Sequence, residues 1–402
     1  MAPSRRDFLK HSGLATASLM VPSFLKASVP FLPGDTRPKV LVVIQFTGGN
    51  DGLNCIVPMT DDLYHKARPN IGYKKEELVR LSDDIGMNAN LQGLADLFFD
   101  GQVVLINNVG YPNPNRSHFR SMDIWQTASD ESTYLQTGWI GRVLDHHCNT
   151  GNCVMPHFAV EIDDSLSLAM KGSNISGFAV RNPDQLKNVN SNPFLDHVAK
   201  HYTGGAHVHN NVEYLHKLLT DTTNSTDYIF EQSKKYTTAT PYPANEFGNQ
   251  LKTIANLINA ETNTSVYYVS LSGFDTHALQ RQQQERQLKT YADGLKAFVT
   301  DLKNTGRFKD TLIMTFSEFG RRVEENAGKG TDHGTANNVY LIGGGLRQGG
   351  MINDMPDLKN LVDDDLVFQT DFRHIYSTIL DKWLEVDAKE ILGRDFVQMD
   401  FL

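Results

Sequence analysis

Five short polar groups in this chain bring carboxylate, imidazole, hydroxyl and guanidinium together beside glycines and strand ends. They are Gly48-Gly49-Asn50-Asp51-Gly52, Asn115-Arg116-Ser117-His118, Ser272-Gly273-Phe274-Asp275-Thr276-His277, Ser317-Glu318-Phe319-Gly320-Arg321-Arg322 and Thr331-Asp332-His333-Gly334. Carboxylates mixed with imidazoles suit zinc, manganese and similar divalent ions. Metals in pairs can clamp both oxygens of a displacement at phosphorus or sulfur. Ser117 precedes an expected helix, where a hydroxyl facing free backbone N–H groups can act as an oxyanion-binding nucleophile. Each group also has a plainer reading. Asp51 can shape a glycine turn, Ser117 can cap its helix, His277 can be a loop histidine, and Glu318 can pair with Arg321. His118 fits a base, a metal ligand or a structural role. Five such groups at five strand ends are not explained by packing.

The elements that must carry them follow from the hydrophobic pattern. Lys39 to Phe46 is a continuous apolar, β-branched run, as in strands buried on both faces of a parallel sheet. Gln102 to Asn108, His157 to Ile162, Val266 to Leu271, Thr311 to Phe316 and Val339 to Ile342 read as further strands. Helices are expected from Arg116 to Thr127, Glu246 to Ala260 and Arg281 to Asn304, the second with Leu251, Ile254, Ala255 and Ile258 on one face. Alternating strands and helices predict a doubly wound, mainly parallel α/β sheet with helices on both faces. Ligands in such sheets sit outside the carboxyl ends of strands, where all five groups fall. Residues 184–240 are polar and rich in Asn, Thr, His and Lys, with helical stretches near 193–202 and 211–220. They read as a small helical or irregular cap or insertion.

At the N-terminus, Ser4-Arg5-Arg6-Asp7-Phe8-Leu9-Lys10 followed by the apolar run Leu14 to Leu25 forms a twin-arginine export signal, over residues 1–27. The run is too short and too interrupted, by Thr16 and Ser18, to span a bilayer. The expected location is therefore periplasmic or extracellular, with no membrane span. Removing residues 1–27 deletes Arg5, Arg6, Lys10 and Lys26 against Asp7, which takes the formal charge from −9 to −12. An acidic chain argues against nucleic acid as the partner. The three cysteines are Cys55, Cys148 and Cys153. The last two flank a turn-forming tetrapeptide and can close a small disulfide in an oxidising compartment, remain unpaired thiols, or join His146, His147 and His157 around a metal. None has iron–sulfur or haem spacing, which disfavours a redox cofactor.

Taken together, FTGGNDGLN, NPNRSHFRSMDIWQT, GFDTH, FSEFGRR and TDHGTANNVYLIGGG, in this order behind a twin-arginine signal, resemble the domain-of-unknown-function 1501 family. The resemblance runs over about residues 38 to 385, within a mature domain taken as 38–402. That family is grouped with the alkaline phosphatase, sulfatase and cofactor-independent phosphoglycerate mutase superfamily. The resemblance implies an alkaline phosphatase-like core and a two-metal site for phosphate or sulfate esters. It implies Asp51 as the first-strand metal aspartate and Ser117 as the nucleophile. Asp275 and His277 would be the aspartate and histidine of one metal, although one residue separates them where the superfamily usually has three. In one placement Asp332-His333 is the superfamily's Asp-His pair. In the other, which we prefer, Glu318 takes the aspartate's place and His333 is the late histidine before a strand. Phe319 then stands where a ligand histidine would. Arg321 or Arg116 would neutralise the transferred group. Ser117-His118-Phe119-Arg120 lacks the proline of formylglycine sulfatases, which disfavours that chemistry. The implied function is a metal-dependent hydrolase of small-molecule or polymer esters, using one or two divalent ions (zinc, manganese, calcium or magnesium). The alternative is a non-catalytic binding or assembly protein for a cell-surface polymer or a co-secreted partner.

Overall fold

The apolar run after Lys39 becomes strand β1 (Val40–Thr47), buried along its length except at Thr47. Val40, Val42, Ile44 and Phe46 point into one hydrophobic core, while Leu41 and Val43 point into a second. This two-sided burial is why the strand reads as unbroken apolar sequence rather than as an alternation. The computed structural model describes residues 37–151, 153–184, 187 and 210–402, and Pro38–Leu402 forms one compact unit. The twin-arginine stretch and the expected helix at 193–202 lie outside the described residues.

The central sheet continues with β2 (Val103–Gly110), β3 (Ala159–Glu161), β4 (Phe178–Ala179), β5 (Val266–Ser272), β6 (Thr311–Ser317), β7 (Asn337–Gly343), β8 (Gly350–Ile352) and β9 (Thr370–Asp371). Their order is β8-β2-β7-β6-β1-β5-β3-β4, with β9 beside β2. In the middle of the sheet Val42 lies opposite Tyr267 on one side and Ile313 on the other. Helices α1 (Gln92–Phe99), α5 (Glu246–Asn259) and α6 (Gln280–Asn304) cover one face. Helices α2 (His118–Thr127), α3 (Trp139–Asn149) and α7 (Phe372–Thr378) cover the other. Within residues 184–240, expected to be an insertion, lies α4 (Asn210–Ser233), which runs well beyond the expected stretch at 211–220. In α6, Leu288, Tyr291, Ala292, Leu295, Phe298, Val299 and Leu302 are buried at helical spacing. Each fully buried Leu or Phe of this kind contributes about 1.5–3 kcal/mol. The fold is thus the expected α/β sheet between helical layers.

Two features depart from expectation. β7 is antiparallel to both neighbours, β2 and β6. A parallel return needs a crossover, usually helical, and the segment 318–336 holds no helix. It turns back instead, so both of its ends lie at the rim where β1, β2, β5 and β6 finish. Ile56–Pro58, Leu78–Arg80 and Ile85–Asn88 also form a small antiparallel sheet that the sequence pattern did not suggest. Cys148 and Cys153 are joined as a disulfide, and Cys55 is free and buried. The neighbouring histidines have other partners: His146 pairs with Glu390 at 3.0 Å and His157 with Ser225 at 3.1 Å. Among the described residues no helix is long and apolar enough to cross a membrane.

Candidate metal centre

Helix α2 is the first positioning element. Trp125 stacks between Phe316 at the end of β6 and Phe372 at the start of α7, with centroids 4.8 and 4.2 Å away. Ser121 on the same helix donates to the Glu318 carbonyl at 2.5 Å. These contacts fix the first turn of α2, and with it His118, over the exit of β6. The second element is the turn after β1. Gly48 has φ +119°, and a Cβ there would lie 2.4 Å from the Asp275 backbone nitrogen. Only glycine lets the β1 and β5 exits approach this closely. The third is the 318–336 segment, closed on itself by the Gly320 N–H to Thr335 carbonyl and Arg322 N–H to Asp332 carbonyl bonds.

These elements bring His118, Asp275, His277 and His333 together. His118, Asp275 and His333 each offer a ligand atom, and those atoms lie within 4.8 Å of one another. Around Asp275 Oδ1 stand His277 Nε2 at 3.1 Å, His333 Nε2 at 3.3 Å and His118 Nε2 at 3.5 Å. Partial burial would push the Asp275 carboxyl up, but the Arg321 hydrogen bond and charge, with His333, hold it down at about 2. The group is a standing carboxylate. The Glu318 hydrogen bond raises the His118 pKa against the opposing effect of burial, whereas burial lowers that of His333. Phe319 packs against both of these rings, with centroids 4.8 Å from each, and gives the cluster an apolar wall.

The back of each imidazole faces a group that can only accept. His118 Nδ1 meets Glu318 Oε1 at 2.9 Å, His277 Nδ1 meets Asp332 Oδ1 at 3.2 Å, and His333 Nδ1 meets the Arg116 carbonyl at 2.8 Å. Each Nδ1 therefore donates, and wherever the ring is neutral its Nε2 lone pair is turned toward the Asp275 carboxylate. His277 Nε2 and His333 Nε2 are only 2.9 Å apart. The buried Nε2 of His118 has no hydrogen-bond partner. In their neutral form these rings and the Asp275 carboxylate repel one another, and a divalent ion among them would relieve that repulsion. Ligand histidines held from behind by a carboxylate or carbonyl are the usual arrangement around a metal. The residues present therefore fit a divalent ion.

The other expected site residues lie at varying removes from this cluster. Glu318 is fully buried and accepts from Gly48 N–H at 2.8 Å as well as from His118, so it stands behind a ligand rather than among the ligands. Asp332 likewise backs His277 and accepts from Asn326 at 3.2 Å. Asp51 is not brought into the group: it is buried, and Arg68 Nη1 donates to it at 2.6 Å. Arg321 is buried and donates to the carbonyls of Gly49, Thr331, Phe274 and Gly48 and to Asp275. That guanidinium ties the rim loops together and is not free to meet an incoming anion. Arg116 is engaged by the buried carboxylate of Asp365. Ser117 is exposed in extended conformation just before α2, and its side chain makes no capping bond.

Sequence reasoning missed Arg68, Asp365, Asn326 and Gln280. Gln280 donates to Asp51 and accepts from Thr276 and Thr331. None of the four lies in a glycine-rich strand-end group, so no local signal marked them.

Among solved structures, the chain is similar to a protein in the alkaline phosphatase superfamily from Vibrio parahaemolyticus. Identity is 11%, over 90% of this chain and 70% of that one, with TM-score 0.43. It is also similar to a phosphonate monoester hydrolase from Silicibacter pomeroyi, at 10% identity over 90% and 78%, TM-score 0.41. A third similarity is to the C-terminal periplasmic domain of EcEptC from Escherichia coli, at 12% identity over 77% and 73%, TM-score 0.36. No curated protein matches. One family model does match, over residues 105–394, and the chain belongs to the family it describes, "Protein of unknown function (DUF1501)".

Proposed function

We propose that the protein is a metal-dependent hydrolase of phosphate or sulfate esters, exported to the periplasm or beyond. The observation that carries this reading is the convergence of three back-bonded imidazoles on the Asp275 carboxylate. His118, His277, His333 and Asp275 would hold a divalent ion, with Glu318, Asp332 and the Arg116 carbonyl fixing the tautomers. When bound, such an ion supplies Lewis acidity and lowers the pKa of a nearby hydroxyl or water.

The chain's own residues supply the rest. Ser117 Oγ is the attacking atom, at the mouth of a helix whose first N–H groups and dipole favour an anionic oxygen. The Ser117 O–H bond and the ester P–O or S–O bond break and an Oγ–P or Oγ–S bond forms. The proton leaves with the departing alcohol; water then attacks phosphorus or sulfur, the Oγ–P or Oγ–S bond breaks, a water proton returns to Oγ, and free phosphate or sulfate departs. Phe319 keeps water from one side, and Arg321 keeps Asp275 ionised and aimed. The Cys148–Cys153 disulfide is in keeping with an oxidising compartment.

One observation favours the rival reading, a binding or assembly protein on the same fold. Both arginines expected to neutralise a transferred group, Arg116 and Arg321, are committed to internal partners. A panel of aryl phosphate, phosphonate and sulfate esters, assayed with metal-loaded wild-type and Ser117→Ala protein, separates the two. Turnover by the wild type that falls to background in Ser117→Ala supports the hydrolase. Bound metal without turnover of any ester supports the rival.

A further inference from the structure

Asp51 leaves β1 at the same rim as the histidine cluster, yet its surroundings differ. Its carboxylate is buried, and Oδ2 accepts from both Arg68 and Gln280. The Arg68 side chain is itself wholly buried. It also donates to Asn54 Oδ1 at 2.7 Å, the Val323 carbonyl at 2.9 Å and the Arg322 carbonyl at 2.9 Å. Those bonds hold the guanidinium in place independently of Asp51. A divalent ion brought to Asp51 would meet a fixed positive charge on the same carboxylate, and like charges at contact distance oppose binding. Among the described residues, the cluster of His118, Asp275 and His333 is the one group of three or more ligand side chains with converging atoms, and Asp51 lies outside it.

Building on the metal reading above, we propose that the centre holds a single ion, with Arg68 serving as the built-in cation at Asp51 where a second ion could otherwise sit. The donor set also selects the ion. Two imidazoles and one carboxylate, with the His277 imidazole beside them, suit zinc and its transition-metal neighbours, whereas calcium and magnesium prefer all-oxygen shells. Although Asp51 Oδ1 has no hydrogen-bond partner, the Arg68 charge on Oδ2 neutralises this side of the rim, and only the histidine side exchanges metal.

The test is elemental analysis of the full chain after dialysis against equimolar zinc, manganese, calcium and magnesium, followed by competitive titration of His333→Ala and Asp51→Asn. The expected result is one transition ion per wild-type chain, with calcium and magnesium near background. His333→Ala should weaken binding more than about 100-fold, while Asp51→Asn should retain one ion within about threefold of the wild-type affinity. Circular dichroism of each variant shows that it is folded. Two ions per wild-type chain would overturn the single-ion proposal and leave the metal reading intact. Loss of the ion from folded Asp51→Asn, or preferential uptake of calcium or magnesium, would also overturn it. A wild-type chain that takes up no ion would sink the metal reading itself and this proposal with it.

Discussion

Arg321→Lys puts the framework of the site under the sharpest test. The Arg321 guanidinium serves five acceptors: the carbonyls of Gly48, Gly49, Phe274 and Thr331, and Asp275 Oδ1. The side chain is 1% exposed, so no water can replace those bonds without opening the rim. Lysine keeps the charge but has three donors on a single nitrogen, and so leaves at least two of the five acceptors bare. An orphaned buried acceptor costs roughly 1–3 kcal/mol, so the substitution should cost about 2–6 kcal/mol. Asp275 is half-exposed, and its share of that loss is the most screened. Chemical denaturation of wild type and variant, followed by circular dichroism, reads the difference. Metal affinity should fall about 10–100-fold in parallel, because Asp275 loses the group that aims it. A variant within about 0.5 kcal/mol of wild type, a difference typical of surface changes, would refute the assignment of Arg321 as the strut of the rim.

Two further outcomes concern parts of the fold away from the candidate metal centre. Burial pushes the Glu161 carboxyl from 4.5 up to about 7, against the Ser167 hydrogen bonds that lower it. Because the folded value is the higher one, its contribution is neutral below about pH 4.5, turns unfavourable between there and pH 7, and then levels off. The plateau corresponds to about 3 kcal/mol. Glu161→Gln, which keeps an acceptor for the Ser167 N–H, should therefore stabilise the protein at pH 8 and change little at pH 4. A pH-independent difference between the two unfolding curves would contradict this. Replacing Cys148 and Cys153 together by serine opens a loop between residues five apart in sequence and should cost about 2 kcal/mol or less. A loss beyond about 4 kcal/mol in thermal or chemical unfolding would mean that the bridge does more than close a short turn.

The strands of the central sheet were legible because both of their faces are covered. Lys39 to Phe46 and Thr311 to Phe316 read as unbroken apolar runs, within a residue of β1 and β6. Helix α6 was legible within a residue of its observed start, Arg281 to Asn304 against Gln280–Asn304. The reversal of β7 was not, because its residues look the same in either direction; what sets it is the absence of a crossover helix between Ser317 and Asn337. The site was half legible. Strand-end position singled out Asp275, His277 and His333, and adjacency to Ser117 brought in His118. Which side chains face the cluster's centre and which stand behind could not be read, since Glu318 and Asp332 differ from Asp275 only in where their loops point them. Arg68 left no trace in the sequence because its role depends on a partner seventeen positions away across a turn.

The proposed function rests most on a divalent ion seated among the imidazoles that gather around the Asp275 carboxylate. Anomalous diffraction from crystals of the zinc-loaded protein, collected on both sides of the zinc edge, tests this directly. One anomalous peak is expected about 2.0–2.2 Å from the Nε2 atoms of His118, His277 and His333 and from an Asp275 oxygen. An empty cluster with the His277 and His333 rings bonded directly to each other, or a peak at Asp51 instead, would contradict it.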